Sequence, residues 1–111
     1  MSDNSSEPIV VLMTAANRDE ARRIAEMLVN ARLAACVQIL PDMQSIYVWK
    51  GEVQRGKEVL LLAKSTRANF VELEREVRAI HSYETPEIIA LPIVEGSEPY
   101  LKWLMSSCEG S

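Results

Sequence analysis

His81-Ser82-Tyr83-Glu84-Thr85-Pro86-Glu87-Ile88-Ile89-Ala90-Leu91-Pro92 is the stretch in which a helical period gives way to a strand. Upstream of it, Phe70, Leu73, Val77 and Ile80 recur at three- and four-residue steps with Glu72, Arg75, Glu76 and Arg78 between them, which predicts an amphipathic helix. Pro86 cannot continue that helix and biases Thr85 toward extended backbone, so the run from Ile88 to Val94 reads as a strand. The corner between the two gathers the sole histidine, a tyrosine and the carboxylates Glu84 and Glu87. Loops held between rigid elements commonly carry binding groups.

The same alternation of periods runs through the rest of the chain. Ile9 to Met13 is continuously apolar and reads as a strand buried on both faces. Asn17 then caps a helix, with Glu20 reaching back in a capping box; Ala21, Ile24, Ala25 and Leu28 form its inward stripe and Arg18, Arg22, Arg23 and Glu26 its solvated face. A long strand from Ala35 is broken by a bulge at Pro41-Asp42 and resumes over Ser45 to Lys50, with Tyr47 and Trp49 on one face and Ile46 and Val48 on the other. Lys50-Gly51-Glu52 reverses the chain, and the return strand runs to about Lys64 with an irregularity expected at Gly56. Ser65 or Thr66 is expected to cap the second helix, and Ser97 to open a short third one carrying Tyr100, Leu101, Trp103, Leu104 and Met105.

The order β-α-β-β-α-β plus a terminal helix is that of an α+β, ferredoxin-like sandwich. One domain is expected over residues 9–107, between a flexible leader at 1–8 and a flexible tail at 108–111. In such a fold both main helices lie on one face of the sheet, yet residues 9–13, 59–63 and 88–94 are apolar on both faces. Self-association is therefore expected to cover the second face.

A formal charge of −4 without a lysine or arginine cluster argues against nucleic-acid binding. The strand at 59–63 also lacks the aromatic platform of an RNA-recognition sheet. No apolar run is long enough to span a bilayer, and the polar, acidic N-terminus has no secretory pattern, so a cytoplasmic location is expected. Cys36 and Cys108 read as reduced thiols.

A single histidine excludes an ordinary closed metal site within one chain. His81 with Glu84 or Glu87 is a candidate weak ligand set, and Met13 or Cys36 would favour a soft ion such as Cu(I). The plainer alternative is that His81 finishes the helix by bonding its last carbonyls. Glu58 and Lys64 put opposite charges at the two ends of the apolar pair Leu60 and Leu62, where they orient a polar ligand or simply mark the strand's emergence into water. Trp49 and Tyr47 offer stacking surfaces, which more often serve packing. No nucleophile elbow, phosphate loop or dinucleotide fingerprint is present, and Ser82 beside His81 is no nucleophile–base geometry.

Four ordered blocks, Leu33-Ala34-Ala35-Cys36-Val37, Ile46-Tyr47-Val48-Trp49-Lys50-Gly51, Glu58-Val59-Leu60-Leu61-Leu62-Ala63-Lys64 and His81-Ser82-Tyr83-Glu84-Thr85-Pro86-Glu87-Ile88, resemble the signature blocks of the CutA divalent-cation tolerance proteins. The resemblance implies a ferredoxin-like fold in a tight homotrimer, similar to the PII signalling proteins with their effector clefts between subunits. It implies a binding or regulatory role in tolerance of copper and other divalent cations, with no established reaction and no required cofactor beyond a weakly bound cation. On this reading Glu58, Lys64, Tyr83, Glu84 and Trp49 form the ligand site, with Glu58, Lys64 and Tyr83 meeting across a subunit boundary, and His81 is the metal contact. Copper-associated relatives carry cysteine and histidine where this chain has Met13 and Ile80. A PII-like sensor of a small anionic metabolite and an enzyme using the His81, Tyr83 and Glu84 corner stand as alternatives.

Overall fold

A computed structural model describes residues 7–109; residues 1–6 of the expected leader and 110–111 of the expected tail lie outside the described residues. The elements are β1 (Pro8–Ala15), α1 (Arg18–Asn30), β2 (Cys36–Trp49), β3 (Glu52–Thr66), α2 (Phe70–Ile80), β4 (Ile88–Pro92) and α3 (Glu98–Ser107), with a 3-10 turn at Arg67–Asn69. The strands form one antiparallel sheet in the order β2-β3-β1-β4. Each helical crossover thus leaves room for a third strand between the two it joins, the split arrangement expected from the element order.

Alternate side chains sort the sheet into two faces. Ile9, Val11, Met13 and Ala15 of β1 and Val59, Leu61 and Ala63 of β3 are buried with Ala21, Ile24 and Leu28 of α1 and Leu73 and Val77 of α2 in one cluster. Burial of each large member contributes ~1.5–3 kcal/mol. Val10, Leu12, Leu60 and Leu62 point the other way and are only half-buried. α3 buries Leu104 completely, outside that cluster. Cys108, placed by the sequence in a flexible tail, instead caps α3 and is buried; Asn69 Nδ2 donates to its carbonyl at 3.2 Å.

Asn17 caps α1 as expected, its Oδ1 accepting from the Glu20 N–H at 2.8 Å. The return half of the capping box differs: the Glu20 carboxylate accepts from Ala16 N–H at 2.9 Å. The expected cap of α2 is not made. β3 continues through Thr66, the 3-10 turn intervenes, and the Ser65 hydroxyl is drawn off to donate to the Leu33 carbonyl at 2.5 Å. β4 stops at Pro92, short of the expected Val94, and Val94 is 86% exposed.

β2 and β3 outrun the sheet. β1 ends with Ala15 opposite Val59, so residues 43–58 continue as a two-stranded arm, and the molecule measures 47 × 25 × 23 Å. The bulge falls where Pro41-Asp42 predicts it: Leu40 faces Leu60 but Met43 faces Glu58, and Asp42 has φ +48°. Gly56, by contrast, pairs with Ser45 in register, without the expected irregularity. At the arm's tip Lys50 and Gly51 have φ of +52° and +81°, the two positive values of a type I′ turn, whose twist matches that of the strands it joins.

Candidate functional site

α2 ends where His81 turns to extended backbone, φ −76° and ψ 143°. The corner that follows is tied to elements far upstream. His81 Nε2 lies 2.7 Å from the carbonyl oxygen of Thr14, 67 residues earlier, and Tyr83 N–H donates to His81 Nδ1 at 3.0 Å. An accepting Nδ1 leaves the proton on Nε2, so the ring is a neutral tautomer donating to Thr14. The Glu20 carboxylate accepts from Ser82 N–H at 2.7 Å as well as from Ala16, and sits 3.9 Å from His81 Nδ1. Burial opposes the Glu20 charge, but the hydrogen bonds from Ala16 and Ser82 outweigh that and hold its carboxyl below the ordinary range.

So held, the corner faces the base of the arm across a cavity of about 550 Å³. Its walls carry the carboxylates Glu58, Glu84 and Glu87 and the aromatic residues Tyr47, Trp49 and Tyr83, with Thr14 and Ser45 between them; among the described residues no lysine or arginine lines it. Burial, then a hydrogen bond to the Glu58 carboxylate and that group's charge, push the Tyr83 phenol up to about 12. Tyr83 is therefore protonated at neutral pH, on the same cavity wall as Glu58. Its ring packs on His81 with centroids 4.8 Å apart.

Of the residues singled out from sequence, Trp49, Glu58, Tyr83 and Glu84 meet at this cavity. Lys64 of the same chain lies six residues along β3 from Glu58, about 20 Å away, with its ammonium donating to Gln38 Oε1 at 2.5 Å. The expectation for His81 is corrected. Its side chain has no exposed surface and both ring nitrogens are engaged, so it braces the corner and offers no lone pair to a metal ion. Among the described residues no three His, Cys, Asp or Glu side chains stand together as a metal-ion site. Sequence reading missed the part of Glu20; the capping-box spacing located it as a helix cap, and nothing local reveals its bond to Ser82, 62 residues on.

The family model described as CutA1 divalent ion tolerance protein matches residues 9–107. The chain belongs to this family. The divalent-cation tolerance protein CutA of Thermus thermophilus is 53% identical over 95 residues, covering 86% of this chain and 92% of that protein. The chloroplastic protein CutA of Arabidopsis thaliana is 42% identical over 106 residues, covering 96% of this chain, which spans only 58% of that relative's length. The crystal structure of CutA1 from Oryza sativa superposes with a TM-score of 0.91 at 39% identity, covering 98% of this chain and all of that one. The periplasmic divalent cation tolerance protein CutA from Archaeoglobus fulgidus gives 0.89 at 36% identity, covering 92% and 99% of the two chains. The CutA1 fold is thus common to archaeal and plant members. No helix among the described residues is long and apolar enough to cross a membrane.

Proposed function

We propose that this chain is a homotrimeric, cytoplasmic binding module of divalent-cation tolerance that holds a cationic ligand in the cleft between arm and corner. One observation carries the reading: Glu58, Glu84 and Glu87 line a single cavity on which no lysine or arginine of the same chain lies among the described residues. Such a field attracts cations and repels the small anionic metabolite of the PII-like alternative. The corner offers an enzyme no free imidazole base, because His81 has both ring nitrogens in use. Assembly is supported by the arm, where Ile46, Val48 and Val53 are 62%, 69% and 61% exposed. A two-stranded ribbon is marginal alone and gains from packing on a neighbour, which brings the cleft to a subunit boundary. Free thiols at Cys36 and Cys108 suit a reducing compartment.

Divalent ions, Cu(II) among them, should bind weakly through single carboxylates and retained water, since no three ligands converge among the described residues. Calorimetry with Mn(II) and Cu(II) checks this. Binding is expected to be weak, to survive His81→Gln and to fall with Glu58→Gln. Tight binding that disappears with His81→Gln would overturn it.

A further inference from the structure

We propose that the occupant this cleft is built for is a small organic cation with an ammonium head, seated against aromatic faces. The inference rests on the cationic-cleft reading above and names its ligand class. A bare ion needs several oxygens converging at ~2.0–2.6 Å, and the described carboxylates form no such group. A cavity of about 550 Å³ has instead the size of an organic-ligand pocket.

Its walls fit that guest. Tyr47 and Trp49, two residues apart on one face of β2, line the cavity from the arm, and each keeps 47% of its surface exposed. Tyr83 lines the cavity from the corner, its ring packed on the buried His81 side chain. Thr14, only 3% exposed, closes the inner end. Aromatic faces attract ammonium groups through the ring quadrupole, and more strongly where water is excluded. Glu58, Glu84 and Glu87 supply the compensating charge from the same walls. A strongly hydrated metal ion gains little from a wall of rings, whereas an alkylammonium, whose charge is spread over apolar carbon, uses both the rings and the carboxylates.

The test is calorimetry on the unmodified chain with three probes: tetramethylammonium chloride, its neutral isostere tert-butanol, and Mn(II). Saturable binding of tetramethylammonium, none of tert-butanol, and a loss of about tenfold in affinity for Trp49→Leu or Glu58→Gln is the expected result. Fluorescence of a Trp103→Phe variant, in which Trp49 is the sole indole, should show the same saturation. Mn(II) binding without tetramethylammonium binding would overturn the ligand class while leaving the cation cleft standing. Binding of neither would overturn both readings. Equal binding of tert-butanol, or an affinity unmoved by Glu58→Gln in a variant with wild-type mass by light scattering, would overturn the proposal as well.

Discussion

Along the single strand β3, Val59, Leu61 and Ala63 keep 3% or less of their surface exposed, while Val53, nearer the arm's tip, is 61% exposed. Val53 and Val59 are the same residue type on the same face of one strand, and what differs between them is the neighbourhood. From Val59 onward β3 pairs with β1 on one edge and β2 on the other, with α1 and α2 above; before Val59 it pairs with β2 alone. A covered side chain stabilises the subunit, whereas an apolar side chain on the bare arm contributes little until another surface meets it. The covered half is therefore the fold, and the arm carries apolar surface that the subunit does not use.

The largest effect that can break this comparison is expected in the arm. Ile46→Asp combined with Val48→Asp places charge on the exposed apolar face, and the proposed trimer should then be lost altogether. Light scattering at micromolar concentration would show wild type at three times 12.5 kDa and no such species for the variant. An unchanged trimer would mean that the arm stays solvated.

Leu61→Ala in the covered half should cost about 2–5 kcal/mol in denaturant unfolding, from lost burial plus a cavity beneath α1 and α2. A cost below about 0.5 kcal/mol, the scale of surface changes, would erase the distinction between the halves.

Glu20→Gln is the smallest and the most local of the three. It weakens the acceptor shared by Ala16 and Ser82, with an expected loss of about 1–3 kcal/mol at neutral pH. Because the Glu20 carboxyl titrates lower in the folded chain than in the unfolded one, its contribution is complete above the ordinary glutamate value of about 4.3 and is lost as pH falls through the lowered one. The difference between wild type and Glu20→Gln, followed by thermal melts against pH, should shrink over that acid range. A gap that persists below it would show that the carboxylate's charge is not what holds the corner.

Much of the fold was legible locally. The stripe of Ala21, Ile24, Ala25 and Leu28, the Asn17 cap, the bulge at Pro41-Asp42 and the reversal at Lys50-Gly51 each depend on residues within a few positions of one another. Periodicity and turn chemistry act over that range, so the chain states them directly. The same range explains the failures: Ser65 has the right chemistry to cap α2 but finds the Leu33 carbonyl instead, and Gly56 has the right chemistry for a bulge but stays in register.

The site was legible only in part. Sequence alone determined that Trp49, Glu58, Tyr83 and Glu84 belong to motif-bearing stretches, and the tertiary structure decided that these four share a cavity while Lys64 stands apart from it. Distance along β3 separates Lys64 from Glu58 within the chain, and only the placement of β1 in the sheet and of α1 after it brings Thr14 and Glu20 to the corner. Those long-range placements turn His81 from a candidate ligand into a brace, because the groups that occupy its nitrogens are a carbonyl 67 residues upstream and the N–H of Tyr83 in the turn that carbonyl helps to hold. Local chemistry specifies which groups a segment offers, and packing specifies which of them are already spent on holding the fold.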